Sequence, residues 1–439
     1  MRLNLKKLFQ PRTHEGAVAA RITVEQELRR TVMACLLWEN TFYENGIDVA
    51  ERIKELVARC DPALAAGLAI EAREEGRLRH APLLLMRELA RHPEKPKIAG
   101  DLARIIKRAD ELSEFLALYW KDGRCPLSAQ VKKGLAEAFG KFDAYQLAKY
   151  NRDGAVRLRD VLFLTHAKPK DGAQEELWRD LAERRLKSPD TWEVGLSAGA
   201  DKRETFTRLI RAGKLGYLAL LRNLRNMSQA GVDEGLVREA VLAGAEKSKA
   251  LPFRFVAAAK AVPRFEPVLD EAMKKAVKTM EPLSGKTYVL IDVSGSMDCA
   301  LSRKSDLNRI DAASALAVLI CSLSESARVF TFSFRVVEVP PRASLSLIDA
   351  VSRSQEHGGT ALGEAVAEMN RIGGYDRLIV VTDEQSRSRV PDPKGRGYMI
   401  NVASYKNGVG YGGWVHIDGF SEAVVNFIQA YEKSEPINV

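Results

Sequence analysis

The sequence predicts two architectures in series: a long all-α part, then a doubly wound α/β domain. Three observations carry this. From Thr23 to about Met280, apolar residues recur at helical spacing and strand patterns are nearly absent. From Thr287 short apolar strands alternate with helices, the order of a mostly parallel sheet with right-handed crossovers. Two of those strands, Tyr288 to Asp292 and Leu378 to Asp383, each end in an acid. A chain of 439 residues also exceeds what one core usually holds, so at least two domains are expected.

The helical part begins after an arm of about twenty residues with no clear periodicity. Thr23 and Gln26 form a capping box ahead of Leu28, Val32, Cys35 and Leu36 on one face. Asp48 with Glu51 opens the next helix. Asp61-Pro62 is an N-cap and first-position pair, and Gly76 ends that helix. Further helices are predicted over 82–91, 97–110, 128–139, 157–165, 173–187, 202–212, 215–229, 232–247 and 266–279. Short helices with short loops point to stacked pairs in a HEAT-like α-solenoid, although no fixed sequence period is visible.

Glu281 to Lys286 marks the expected boundary, giving domains 1–285 and 286–439. Beyond it, strands are predicted over 287–292, 328–333, 377–383, 399–403 and 415–417. The helices between and after them are 309–324, 345–354, 361–371 and 421–432, and a Gly-rich loop spans Gly408 to Gly413.

Composition narrows the class. With 46% hydrophobic and 28% charged residues this is the make-up of a soluble globular chain. No apolar run is long enough to span a bilayer and no signal region follows Met1, so no membrane partner is expected. Five scattered Cys without a C-x-x-C suit a reducing cytoplasm, and six dispersed His make no zinc pattern. The net charge of +9 is uneven: residues 1–285 carry 51 Lys+Arg against 40 Asp+Glu, and residues 286–439 carry 16 against 18. The basic excess therefore belongs to the helical part, where it can serve nucleic acid, an acidic membrane or plain solubility.

At the end of the first strand the chain reads Asp292-Val-Ser-Gly-Ser-Met297. Ligands of open α/β sheets sit outside the carboxyl ends of strands, where Asp292, Ser294 and Ser296 fall. One carboxylate and two hydroxyls at alternate positions can face one centre. Such hard, weakly charged donors suit Mg²⁺ with water kept in its shell. Thr360 follows Gly358-Gly359 as the expected N-cap of helix 361–371, and Asp383 ends the second strand. Together Asp292, Ser294, Ser296, Thr360 and Asp383 resemble the D-x-S-x-S…T…D metal-ion-dependent adhesion site of a von Willebrand factor A domain. That resemblance implies one divalent cation, Mg²⁺, with an open position for a partner's carboxylate. Asp298 and Glu384 are neighbouring acids that can share the role.

The helical part carries its own likeness. Asn40-Thr-Phe-Tyr-Glu-Asn-Gly46, Leu127 to Ala136, Phe142 to Tyr150, Arg157 to Pro169, Trp192 to Ser197 and Lys214 to Met227 resemble the TROVE module of the Ro autoantigen family. In Ro proteins that module precedes an A domain, which is the order here. A chain without long tails fits a bacterial Ro orthologue. The resemblance implies a monomeric ring of helical repeats closed by the A domain. It implies binding of small Y RNA and of single-stranded 3′ ends of misfolded non-coding RNA. A 3′→5′ exoribonuclease tethered through RNA is the implied partner, and RNA quality control in the cytoplasm the implied role.

Two basic sets are the candidate RNA contacts. From Lys202 to Arg225 the set is Arg208, Arg211, Lys214, Arg222 and Arg225, with Glu204 the one acid. This is either an electrostatic footprint for phosphates or a solvated helix face, and the missing i,i+4 acids favour the footprint. The other set is Lys133, Lys149, Arg152, Arg157, Arg159, His166 and Lys168, in which Asp160 can neutralise Arg157 or Arg159. His166 is either an RNA contact or a structural residue. Tyr119, Trp120, Tyr145 and Tyr150 can stack bases, but aromatics at helical spacing are read as core.

Enzyme readings lack their motifs. Gly358-Gly-Thr-Ala-Leu-Gly363 has no phosphate-loop Lys, no nucleophile elbow is present, and five ligands with two carboxylates describe one docking ion rather than a two-metal nuclease. A rival from another class is an A-domain adaptor for an AAA-type ATPase. It accounts for the metal motif but not for the basic helical part. A secreted adhesin conflicts with the free Cys and absent signal.

Overall fold

The two acid-ended strands lie side by side in the middle of one six-stranded sheet. The strands are β1 (Leu283–Asp292), β2 (Ser324–Phe332), β3 (Val336–Val339), β4 (Arg377–Thr382), β5 (Arg396–Asn401) and β6 (Val415–Asp418), in the order β3-β2-β1-β4-β5-β6. All pairings are parallel except the β2–β3 hairpin. Successive strands step outward from β1 to one side and from β4 to the other. The sheet's switch point is therefore between β1 and β4, where Ile291 pairs with Val381 and a crevice opens at the strand ends. Every residue of β4 is buried, as a parallel strand covered on both faces requires.

The computed structural model describes residues 10–34, 46–248, 250–278, 280–301, 305–419 and 424–434. Asn40 to Asn45 of the family-like stretch, Cys35 and Leu36, and the first residues of the helix predicted from Ser421 lie outside them. The described residues form two compact units: one from 23–32 and 48–199, the other from within 1–22, 33–47 and 200–439.

The first unit is helical throughout. Helix Pro62–Glu74 packs on His80–Leu89, and Ala99–Ile105 packs on Ala129–Phe139. At the second crossing a Cβ on Gly134 would stand 2.7 Å from the Ala99 carbonyl oxygen and 3.1 Å from the Leu102 side chain. We therefore expect Gly134→Ala to destabilise the chain. The helix-propensity gain is about 1 kcal/mol, against an overpacking cost of about 1–3 kcal/mol because the obstacle is backbone. Urea unfolding checks this, and a stabilised variant contradicts the contact.

In the second unit helices from Lys202–Arg211 to Glu266–Val277 accompany the sheet. Helix Arg309–Leu323 is buried on nearly every side, because β1 and β2, helix Ser346–Ser352 and helix Pro252–Ala261 all pack on it. Arg377, 3% exposed, bonds Glu432 Oε1 at 2.8 Å and Thr287 Oγ1 at 2.8 Å, tying β4 to helix Val424–Ser434.

The structure differs from the sequence expectation at several elements. The helix predicted over 97–110 stops at Ile105 and a new one runs Asp110–Tyr119. The buried Glu111 carboxylate causes the break by accepting the N–H groups of Lys107 (2.8 Å) and Arg108 (3.1 Å) while holding Arg73 at 2.6 Å. The helix predicted over 215–229 divides at Asn223, whose side chain bonds back to the Ala219 carbonyl. Asp48 sits inside helix Gly46–Val57, not at its cap. Helices Ala144–Tyr150 and Trp192–Ser197, and strand β3, carry too few turns or residues to show a period, and helix Pro252–Ala261 was not predicted. The strand predicted over 287–292 begins at Leu283.

Candidate functional site

The turn after β1 is built by its own side chains. Asp292 is fully buried; its Oδ1 accepts the Ser294 N–H at 2.8 Å and its Oδ2 accepts the Thr382 hydroxyl at 2.6 Å. Ser294 Oγ lies 3.3 Å from Ser296 Oγ, and Ser296 Oγ donates to Asp383 Oδ2. Asp292, Ser294, Ser296 and Asp383 are thus linked in one hydrogen-bonded chain across the switch point. The loop before Thr360 meets this turn, Gly295 N–H reaching Gly358 O at 2.9 Å, while Thr360 O itself accepts the Arg387 N–H at 3.2 Å.

Thr360 is not an N-cap. The helix is Leu362–Ile372, with Ala361 at the cap and no side-chain capping bond. Ala361 N–H is instead drawn to Ser333 O at 2.9 Å, beside the sheet end, which delays the helix by a residue. Thr360, 4% exposed, is therefore not used in capping. A Cβ on Gly358 would run into the exposed Phe334 ring, which would have to swing away.

Burial, then the Asp383 charge, push the Asp292 carboxyl well above the ordinary carboxylate range, against the bonds from Ser294 and Thr382 that lower it. Two buried carboxylates with hydroxyls between them are groups that can hold one hard cation, which would relieve that repulsion. Among the described residues no three His, Cys, Asp or Glu side chains converge as a metal cluster, so hydroxyl donors are integral to such a site.

Three contributors were not legible beforehand. Arg309, 6% exposed, brings its guanidinium to 3.5 Å from Ser296 O and 4.0 Å from Asp383 Oδ2. Thr382 anchors Asp292. The N-terminal arm docks on the loop behind Asp383: Thr13 Oγ1 donates to Ser386 O at 2.6 Å, His14 N–H to Gln385 Oε1 at 2.7 Å, and Asn407 Nδ2 to Arg12 O at 2.6 Å. Asp298 and Glu384, the neighbouring acids, are already engaged. Asp298 meets His357 Nδ1 at 2.6 Å, and Glu384 meets His416 Nε2 at 3.0 Å. His416 also lies 3.3 Å from Asp418 and stacks on Tyr411 at 4.1 Å.

The basic candidates divide between the two units. Lys133, Lys149, Arg152, Arg157, Arg159, His166 and Lys168 are in the first; Arg208, Arg211, Lys214, Arg222 and Arg225 are in the second. Arg203, Arg208 and Arg211 line an open cleft of about 680 Å³ along helix Lys202–Arg211. Arg208, Arg211, Lys214 and Arg222 are exposed. Arg225 is also exposed but pairs with Asp306 at 2.6 Å. Arg157 pairs with Asp153 at 3.1 Å, Arg159 with Asp160 at 3.8 Å, and Lys149 with Glu193 at 3.4 Å. Partly exposed ion pairs of this kind contribute little and can be exchanged for a phosphate. His166 closes helix Leu158–Thr165 in the left-handed region (φ 53°) and is exposed. Of the aromatics read as core, Tyr119 is buried at 4% exposure, but Tyr145 is 51% exposed. Helix Ala144–Tyr150 buries only Leu147, which leaves Tyr145 on its open side.

Comparison with known proteins follows this geometry. Residues 173–314 match the TROVE domain. The chain is 24% identical over 436 residues to the RNA-binding protein RO60 of Deinococcus radiodurans, covering 83% of this chain and 81% of that protein. It is 34% identical over 88 residues to mouse telomerase protein component 1, but this spans 19% of the chain and 3% of that protein. The crystal structure of the Deinococcus radiodurans RO (RSR) protein superposes with a TM-score of 0.62 at 20% identity, over 94% of this chain and all of that one. The shared fold is a helical part together with an α/β part built on the six-stranded sheet.

Proposed function

We propose that this chain, which belongs to the Ro family of TROVE-domain proteins, binds small non-coding Y RNA and the single-stranded 3′ ends of misfolded RNA. In this reading it acts by binding, in cytoplasmic RNA quality control, and presents RNA to a 3′→5′ exoribonuclease. The likeness to a protein named for RNA binding over 83% of the chain carries it. The exposed arginines along the Lys202–Arg211 cleft give the reading a physical basis, since clustered cations release counterions from a phosphate backbone. No helix among the described residues is long and apolar enough to cross a membrane. Mg²⁺, held by Asp292, Ser294, Ser296, Thr360 and Asp383, is the cation we assign to the switch-point site.

Structured RNA with a single-stranded 3′ end should bind more tightly than a blunt duplex, because proteins read RNA most readily where bases are unpaired. The slope of log K against log salt should be about −0.7 per phosphate contacted. Replacing Arg208, Arg211, Lys214 and Arg222 together by Gln should weaken binding to all sequences and flatten that slope by roughly 0.7 for each true contact. Equal binding of blunt duplex, or an unchanged slope in the fourfold variant, removes this surface as the RNA site.

A further inference from the structure

Tyr145 and Lys149 stand four residues apart on helix Ala144–Tyr150 and so share a face. The Lys149 ammonium lies 5.9 Å from the Tyr145 ring centroid and 5.8 Å from that of Tyr150. The Arg108 guanidinium covers Tyr150 at 4.7 Å from its centroid. Tyr150 is thus partly buried and shared between two cations, whereas Tyr145 keeps 51% of its surface in water. Arg152, just beyond the helix, is exposed as well.

We propose that Tyr145 is a stacking platform for an unpaired base of single-stranded RNA, with Lys149 beside it to meet the adjoining phosphate. The proposal rests on the reading of the chain as an RNA-binding protein. An aromatic ring open to solvent and flanked by a cation matches both parts of one nucleotide. The base has an apolar π-face and the phosphate has charge. The Lys149–Glu193 pair, at 3.4 Å and partly exposed, holds the ammonium in place and is weak enough for a phosphate to replace Glu193. Stacking reads any base, so the platform adds affinity without sequence preference. A protein partner would need an apolar surface around the ring. Here a cation, Lys149, stands against the ring, which favours a polyanion.

The test uses the full chain and a short single-stranded oligouridylate. Tyr145→Ala should lower affinity by roughly 5- to 150-fold, the range for one lost stack. The salt slope should stay unchanged, because no phosphate contact is lost. Tyr145→Phe should bind like the parent. Tyr145→Leu, which keeps bulk but has no π-face, should bind like Tyr145→Ala, so a folding defect in one variant does not decide the matter. Lys149→Gln should instead flatten the slope by about 0.7. If Tyr145→Ala and Tyr145→Leu bind the oligonucleotide within twofold of the parent, the platform is wrong while the RNA-binding reading stands. If the parent does not bind the oligonucleotide at all, both fall.

Discussion

Replacing Asp292 and Asp383 together by Ala should abolish binding of Mg²⁺ and Mn²⁺. A hard cation needs charged oxygens, and these two carboxylates supply the charge that the hydroxyls of Ser294, Ser296 and Thr360 lack. The neighbouring acids are already paired, Asp298 with His357 and Glu384 with His416. Calorimetric titration reads the loss directly. Thermal unfolding gives a second reading: cation at a hundred times its dissociation constant should stabilise the parent by about 2.7 kcal/mol and the double variant not at all. The variant should retain affinity for single-stranded RNA, since neither carboxylate is among the basic residues proposed to contact it. Undiminished cation binding in the double variant would falsify the assignment.

His416→Gln should be the most destabilising substitution near that site, by about 3–5 kcal/mol, because it strands two buried carboxylates. His416 is 8% exposed at its side chain, between Glu384 (0%) and Asp418 (3%). Burial alone would lower its pKa; the Glu384 and Asp418 carboxylates outweigh that and push it up to about 9. A folded-state pKa raised above the ordinary 6.5 means the charged ring stabilises the fold fully below pH about 6.5. That contribution is then lost as pH rises through about 9. The gap between parent and variant in urea unfolding should therefore be wide at pH 6 and much narrower at pH 10. An equal gap at both values would show that the imidazolium charge is not what matters, and a gap under 1 kcal/mol (roughly one neutral hydrogen bond) that the cluster is dispensable.

Much of the α/β part was legible because its signals are local. A strand buried on both faces has to be a short apolar run, and the residue following it necessarily leaves the sheet at the carboxyl edge. Asp292, Ser294, Ser296 and Asp383 could therefore be placed on one rim from order alone. In the helical part, caps such as Asp61, Ser128 and Asp201 mark helix starts because the capping bond spans only two or three residues. What failed there was continuity. The break after Ile105 depends on Glu111 reaching backward to Lys107 and Arg108 while Arg73, distant in sequence, neutralises it.

By itself, then, the sequence determined the two architectures, the central strands and the position of Asp292, Ser294, Ser296 and Asp383 at their ends, all of which follow from side-chain period and neighbours within a turn. Only the tertiary structure decided which charges face those donors and which are already paired. Arg309 reaches Ser296 and Asp383 from a different element, Arg225 finds Asp306 across 81 residues of chain, and Thr13 closes on Ser386 across 373. It also decided that Tyr145 points to water while Tyr119 is buried, although both sit at helical spacing. A side chain's period specifies the face of its helix, but whether that face meets another helix or solvent depends on packing partners remote in sequence.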